Sequence, residues 1–135
     1  MTRQAERAIQ NEIRNALTGD GLFFRANVGR GWTGTPVRRN GLPDGAVLLL
    51  DARPFDTGLP SGFSDLFGIR PRLITEADVG NLFGQFAAIE CKAAWGRTST
   101  LQAAFLAAIS ANGGLAGVAR SAAEARAIIG GDGDT

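Results

Sequence analysis

The chain contains a single lysine, Lys92, among fourteen basic residues, and the other thirteen are arginines. In a chain so biased towards arginine, a position that needed only positive charge would be expected to carry arginine. Lysine differs because its ammonium group is compact and its pKa moves readily, which suits an active site. Glu90 precedes it by two residues, and side chains two apart in a strand point to the same face. The sequence therefore predicts a carboxylate and an ammonium side by side at the end of an apolar strand, residues 86–93.

Asp65, Glu90 and Lys92 together suit a divalent-cation site that acts on a phosphate. Mg²⁺ takes oxygen ligands and keeps several waters. Asp65 and Glu90, if brought together on adjacent strands, would supply two carboxylates, and the backbone carbonyl of Cys91 a third oxygen. The cation would lower the pKa of a bound water, and Lys92 would hold or deprotonate that water. The alternative is a solvated Glu-x-Lys pair without chemistry.

The composition excludes several kinds of site. The absence of histidine removes Ser-His-Asp and Cys-His nucleophile pairs and His-ligated zinc. The single cysteine excludes an internal disulfide and argues against structural zinc. The net charge of +1 gives no global basic field. No apolar run is long enough to span a membrane, and the charged N-terminus does not resemble a signal peptide, so a cytoplasmic location is expected.

Hydrophobic patterns and turn residues predict the order of the elements. Helices are expected over residues 2–17, with Thr2 as N-cap, and after two capping boxes that begin at Ser99 and Ser121. Strands are expected at residues 23–28, 46–52 (buried), 64–69, 86–93 and 115–119, with loops at 29–44 and 53–62. This order predicts one α/β domain, residues 1–130, with a mixed β-sheet flanked by helices. Residues 131–135 are expected to be a frayed tail.

Two segments resemble the PD-(D/E)xK nuclease motif, namely SGFSDL at residues 61–66 and IECK at residues 89–92. The wider context resembles the virus-type replication-repair nuclease (VRR-NUC) subfamily in its stand-alone phage form. Segments at 6–10, 24–29 and 96–106 carry that likeness, which covers nearly the whole chain. Ser64 replaces the proline of the motif, and Cys91 replaces an aliphatic residue, but neither change removes a ligand.

The resemblance implies a restriction-endonuclease-like core and a DNA endonuclease that depends on Mg²⁺ or Mn²⁺. It also implies a homodimer that cuts branched DNA such as four-way (Holliday) junctions, encoded by a phage or prophage in a bacterial host. No organic cofactor is expected. Two other hypotheses remain open: a nucleic-acid-binding accessory module with a degenerate site, and a purely structural α/β domain.

Glu6 matches the family's glutamate on the first helix, which implies a catalytic and metal-binding role. On the helical wheel Glu6 falls between Ile13 and Leu17, so its carboxylate is predicted to face the core and to need a partner. The alternative is an acid favoured in the first turn by the helix dipole. Glu12, at the other edge of the apolar stripe, is a less favoured candidate.

Gln102 is open to two interpretations. Its position three residues after Ser99 makes it a capping-box residue, whereas the resemblance places it near the catalytic lysine. The chain also offers six candidate DNA contacts: Gln10, Arg25, Asn27, Arg30, Arg97 and Ser99. Arginines position phosphates, and Trp32 could stack on an unpaired base. A solvated turn with one packed tryptophan would explain the residues near Trp32 equally well.

Overall fold

The computed structural model describes residues 2–130. The predicted frayed tail, residues 131–135, lies outside the described residues. The chain divides into two compact units. The first unit comprises the described residues up to Phe24 and from Leu66 onward, and the second is Arg25–Asp65. Within residues 2–130, no helix has the length and apolar character needed to cross a membrane.

The described residues contain helices and short strands, which confirms the α/β class. The helices are α1 (Arg3–Ala16), α2 (Thr100–Ala111) and α3 (Ala122–Ile128), with a 3₁₀ turn at Glu76–Asp78. The strands are β1 (Leu22–Arg25), β2 (Arg30–Val37), β3 (Leu48–Asp56), β4 (Leu66–Ile69), β5 (Ala87–Cys91) and β6 (Leu115–Ala119). They pair as β1–β4, β2–β3 and β5–β6, so two-stranded sheets stand where the sequence predicts one mixed sheet.

The N-terminal helix begins as its sequence predicts. Thr2 is the N-cap, and its hydroxyl accepts a hydrogen bond from the Ala5 amide at 3.3 Å. No residue of α1 is buried, however, and Ile9 and Ile13 on its apolar stripe are 45% and 43% exposed. The helix therefore forms as predicted, although its apolar stripe stays partly exposed to solvent.

The two C-terminal helices begin at the predicted caps. Ser99 and Gln102 exchange both hydrogen bonds of a capping box at α2. At α3 the Ser121 hydroxyl accepts from the Glu124 amide, but the Glu124 carboxylate accepts from the Arg120 amide. The second box is therefore only half formed, because Glu124 reaches one residue beyond the N-cap.

Four phenylalanines hold the first unit together. Phe24 on β1 lies 5.6 Å from Phe67 on β4, 6.3 Å from Phe86 before β5 and 5.3 Å from Phe105 on α2, measured between ring centroids. Each aromatic pair at this distance adds about 0.5–1.5 kcal/mol beyond the apolar area it removes from water. Ile109 on α2 is fully buried beside them in the same unit. These contacts fix α2 and the strands that carry the candidate site.

The second unit contains a β-hairpin that the sequence does not predict. Residues 29–44, expected to be a loop, include β2, which pairs antiparallel with β3. Proline and glycine suggested a loop, but both strands of a two-stranded ribbon are edges, where proline is tolerated. The ladder shifts between Thr33 and Thr35, opposite Asp51, which adopts a positive φ of 51°. This arrangement is a β-bulge.

The predicted burial of residues 46–52 is wrong for most of the segment. Leu48 and Leu49 are half-buried, whereas Val47 is 73% and Leu50 is 53% exposed. β3 also continues to Asp56, into the predicted connection at residues 53–62. An apolar run indicates a strand, but only a covering layer buries it, and among residues 2–130 β3 pairs with β2 alone.

Gly114 is predicted to be a packing requirement of the first unit. A Cβ atom there would lie 2.6 Å from Ile109 Cγ2 and 3.0 Å from the Phe86 carbonyl oxygen. We expect Gly114→Ala to lower the free energy of unfolding by about 1–3 kcal/mol, the usual cost of overpacking. Urea unfolding followed by circular dichroism measures this. Gly84→Ala is the control, because a Cβ there meets nothing within 4 Å. Equal effects of the two substitutions would contradict the prediction.

Candidate functional site

Glu90 and Lys92 project from one face at the end of β5, as their spacing predicts. Burial alternates along the strand, and Ala88, Glu90 and Lys92 are the more covered positions. β5 pairs in parallel with β6, with Cys91 opposite Ala119. The Lys92 amide donates to the Ala119 carbonyl at 3.1 Å, which continues the ladder past the last residue of β5. The backbone that carries the pair is thus fixed by β6.

The Glu90 carboxylate is held from two directions. Its Oε1 lies 3.0 Å from Lys92 Nζ and accepts a hydrogen bond from Gln102 Nε2 at 2.7 Å. The side chains of Lys92 and Glu90 are 21% and 28% exposed. Hydrogen bonds to a charged acceptor are shorter and stronger than those between neutral groups. One carboxylate oxygen is therefore oriented while the pair stays accessible to a ligand.

Gln102 forms the predicted capping box and also contacts Glu90, the ion-pair partner of Lys92. Its amide oxygen accepts from the Ser99 amide at 2.9 Å, and its own backbone amide donates to Ser99 Oγ at 3.1 Å. The same side chain donates through Nε2 to Glu90. The capping residue of α2 is consequently also the residue that links α2 to the carboxylate on β5.

A tight turn follows Lys92 and lies against its side chain. The Gly96 amide donates to the Ala93 carbonyl at 2.9 Å, which closes the turn. A Cβ atom on Gly96 would lie 3.3 Å from Lys92 Cβ, so the turn packs on the aliphatic stem of the lysine. Arg120 Nη2 donates to the Gly96 carbonyl at 2.8 Å. Within this turn Trp95 is 95% exposed.

Sequence reasoning missed Trp95 and Arg120. The signal that could have found them is the pairing of two strands joined by one helix, residues 86–93 and 115–119. If such strands are parallel, the residues that follow them emerge at the same edge of the sheet. Arg97 and Ser99, which were predicted to contact DNA, follow the same turn, and both are exposed.

A hollow of about 270 Å³ opens between β5 and α2, beside the carboxylate. Its lining is apolar except for Glu90 and Gln102: Ala88, Ile89, Glu90, Leu101, Gln102, Phe105 and Leu106. Leu101 is 82% exposed at its mouth. The polar end of the hollow is therefore formed by the hydrogen-bonded side chains of Glu90 and Gln102, both of which are predicted site residues.

The first helix carries two further predicted site residues, Glu6 and Gln10. Glu6 is exposed, so the prediction that its carboxylate faces the core is wrong; α1 buries none of its residues. Glu12 is exposed as well, and burial favours neither glutamate. Gln10 is half-buried, and its Oε1 is enclosed without a hydrogen-bond partner among the described residues. That oxygen remains available to accept a hydrogen bond.

The second unit holds Asp65 and three of the predicted DNA contacts. Asp65 is exposed at the end of the unit, and its backbone carbonyl accepts from the Ala26 amide at 2.9 Å. Arg25 and Asn27 are exposed. Arg30 forms a surface ion pair at the end of the hairpin, with its Nε 3.1 Å from an Asp56 carboxylate oxygen.

Trp32 lies on the β-hairpin of the second unit and is 64% exposed. A single tryptophan packed within a solvated turn is therefore not what this region contains. Trp32 instead lines an open hollow with its cross-strand partner Pro54 and with the Arg30–Asp56 pair.

The donor atoms in the first unit fit a magnesium-type cation only in part. Among residues 2–130, no group of three or more His, Cys, Asp and Glu side chains is placed to hold a metal ion. Mg²⁺ needs fewer protein ligands, because it is commonly bound by one or two carboxylates together with waters and substrate phosphates. Glu90 fits as one such carboxylate, and Cys91 places its carbonyl next to it in the chain.

Comparisons with protein-family models, with curated proteins and with solved structures give no match.

Gln102→Glu is predicted to separate the two roles of Gln102. Glutamate at this position can still form a capping box, but it removes the donor to Glu90 and adds a like charge. We expect the free energy of unfolding at pH 7 to fall by about 1–3 kcal/mol. The neighbouring carboxylate would raise the pKa of the introduced carboxyl above its unfolded-state value. Stability should thus recover as the pH falls through that raised pKa.

Chemical denaturation at pH 7 and pH 4 measures this effect. Gln85→Glu is the matched control, because Gln85 Nε2 donates to a neutral acceptor, the Gly113 carbonyl, at 2.9 Å. If Gln102→Glu lowers the free energy of unfolding by the same amount at both pH values, the contact with Glu90 does not contribute to stability.

Proposed function

We propose that the chain is a Mg²⁺- or Mn²⁺-dependent endodeoxyribonuclease that hydrolyses phosphodiester bonds in branched DNA, such as four-way junctions. The observation that carries the proposal is the Glu90 carboxylate at a strand end, held by Lys92 at 3.0 Å and by Gln102 at 2.7 Å. The motif assigns the chain a restriction-endonuclease-like core. It also suggests a phage or prophage origin and action in the cytoplasm of a bacterial host.

Each residue of the first unit has a distinct role in this proposal. When bound, a divalent cation supplies charge stabilisation to the phosphate and makes water more acidic. Glu90 and the Cys91 carbonyl would hold the cation, and Gln102 keeps the Glu90 carboxylate oriented. The Lys92 ammonium contacts the scissile phosphate, where positive charge stabilises the developing negative charge. Asp65 and Glu6 enter the proposal from the motif.

The net charge of the chain is only +1, so the chain as a whole attracts DNA weakly. Binding must therefore depend on contacts made by individual side chains. Arg97 and Ser99 are exposed just after the turn that follows Lys92, and the proposal assigns them to a phosphate next to the scissile one. Gln10, Arg25, Asn27 and Arg30 are the further proposed contacts. Few phosphate contacts predict modest, salt-dependent affinity for plain duplex. A preference for branched DNA over plain duplex must then come from the shape of the DNA.

A second copy of the chain is part of the proposal, since one site cuts one strand and a two-fold dimer presents two sites. Exposed apolar side chains on residues 70–86, here called the apolar loop, support it. Leu73, Ile74, Val79 and Leu82 are 85%, 67%, 80% and 99% exposed. Large exposed apolar side chains grouped on one segment are typical of interaction sites.

Arg72 contacts two other parts of the apolar loop. The Arg72 guanidinium makes two hydrogen bonds to the Asp78 carboxylate, at 3.0 and 3.1 Å, and lies 5.1 Å from the centre of the Phe83 ring. The hydrogen bond from Arg72 lowers the pKa of the Asp78 carboxyl. A surface that is ordered in advance loses less entropy when it associates.

The alternative is a nucleic-acid-binding accessory module with a degenerate site. One observation favours it: in the part of the chain that the structure describes, no three metal-ligating side chains are grouped. The two functions differ in a direct way, because only the nuclease turns over a labelled junction when Mg²⁺ or Mn²⁺ is added.

Cleavage of a labelled four-way junction is predicted to depend on Glu90 and Lys92. Glu90→Gln and Asp65→Asn should abolish detectable cleavage. Lys92→Arg keeps the charge but enlarges the head group, so we expect a loss of about 10²-fold or more while DNA binding survives. The measurement is the single-turnover rate with Mg²⁺, Mn²⁺ and EDTA.

Asp44→Asn is the control for these variants, because Asp44 is an exposed carboxylate in the connection between β2 and β3. It should cleave like the unmodified chain. Full activity of Glu90→Gln would remove the site assignment, and binding without cleavage by the unmodified chain would favour the accessory module.

The chain is predicted to be a dimer at micromolar concentration and to cut junctions faster than plain duplex. Leu82→Glu should give a monomer, because a charge would be placed in the centre of the apolar loop. Val47→Glu, at a position 73% exposed on the other unit, should leave the dimer intact. Sedimentation velocity measures both variants. A monomeric unmodified chain that cuts duplex and junction equally would contradict the dimer and the preference for branched DNA.

A further inference from the structure

Trp95 is an exposed tryptophan at the edge of the candidate site, and the proposed chemistry gives it no role. It lies three residues after Lys92 and is 95% exposed. Full exposure of so large an apolar ring forfeits the stabilisation that burial would bring, about 25 cal/mol for each Å² removed from water. Trp95 therefore contributes little to the packing of its own unit.

Three contacts fix the backbone of the turn that carries Trp95. The Ala93–Gly96 hydrogen bond closes the turn, and Arg120 Nη2 binds the Gly96 carbonyl at 2.8 Å. The close approach of Gly96 to Lys92 seats the turn on the lysine stem. A tryptophan side chain has only two rotatable bonds, so a fixed backbone gives an aromatic surface that loses little entropy on binding.

The charged groups near the turn fit a nucleic-acid strand. Arg97 is exposed two residues after Trp95, and Arg120 holds the turn from the neighbouring strand end. The negative groups nearby are already engaged, since Glu90 pairs with Lys92 and the Glu124 carboxylate accepts from the Arg120 amide. An aromatic face flanked by arginines is the usual arrangement for single-stranded nucleic acid, in which bases stack and phosphates pair with cations.

We propose that Trp95 is a stacking platform for an unpaired nucleobase of the strand that enters the site, so that Trp95 selects DNA with a single-stranded segment beside the cut. This inference rests on the proposed function, because it gives that nuclease its substrate class. Junctions, flaps and splayed arms are bound where a base next to the branch point is free to leave the stack. Fully paired duplex offers no such base and is bound by its phosphates alone.

The experiment titrates the full chain in EDTA with a fifteen-nucleotide oligothymidylate, a length-matched abasic oligomer and a blunt duplex, and follows tryptophan fluorescence. We expect quenching by oligothymidylate only. Quenching should disappear in Trp95→Phe and persist in Trp32→Phe. Trp95→Ala should weaken oligothymidylate binding about 5- to 150-fold, the equivalent of one stacked base at 1–3 kcal/mol. Trp95→Phe should restore most of that affinity, and Val47→Ala, at an exposed apolar position of the second unit, should change it little.

The outcomes separate this inference from the proposed nuclease activity. Quenching that is carried by Trp32, or that is equal with the abasic oligomer, would overturn the stacking role of Trp95 even if the chain cleaves DNA. Trp95-dependent quenching without metal-dependent cleavage would keep the stacking site and remove the nuclease. A Trp95→Ala variant that alters only the sedimentation of the chain would show that the ring contacts another protein molecule instead.

Discussion

The parallel pairing of β5 with β6 is the constraint on which the candidate site depends. A parallel pair cannot be closed by a tight turn, so the chain must cross back along α2 before β6 can form. Gly114 makes the return possible, because its amide donates to the Ile109 carbonyl at 3.0 Å where no Cβ fits. The crossover places α2 against β5 and brings Gln102 to Glu90. It also brings Arg120 to the turn after Lys92.

One side chain then links helix formation to the geometry of the carboxylate. Gln102 completes the cap of α2 through its oxygen and holds Glu90 through its nitrogen. The two halves of its amide are thus both used, and its rotamer is set by the helix start. A carboxylate that is oriented by a helix cap keeps its position without a dedicated supporting residue. The use of one side chain for both tasks suits a small unit in which few of the described residues are enclosed.

The sequence predicts those structural features that depend on only a few neighbouring residues. The cap at Thr2, the capping box at Ser99, the strand 115–119 and the shared face of Glu90 and Lys92 all follow from patterns a few residues long, and the structure confirms them. The β2–β3 hairpin does not follow, because β2 and the second half of β3 lie in segments whose proline and glycine favour loops. The burial of residues 46–52 and of Glu6 also fails, since burial depends on a covering layer that periodicity does not report.

The charge balance of the site determines how it can recognise a substrate. Glu90 and Lys92 largely neutralise each other, and the whole chain carries a net charge of only +1, so no strong field draws duplex towards the site. In the proposed nuclease, affinity for DNA would therefore come from short-range contacts of exposed side chains near the site, such as Arg97 and Trp95. A stacked base adds binding energy only where the DNA is already unpaired, because opening a duplex costs a few kcal/mol per base. In the proposed nuclease, a site built from a neutral ion pair and an aromatic rim would therefore discriminate by DNA structure more than by DNA charge.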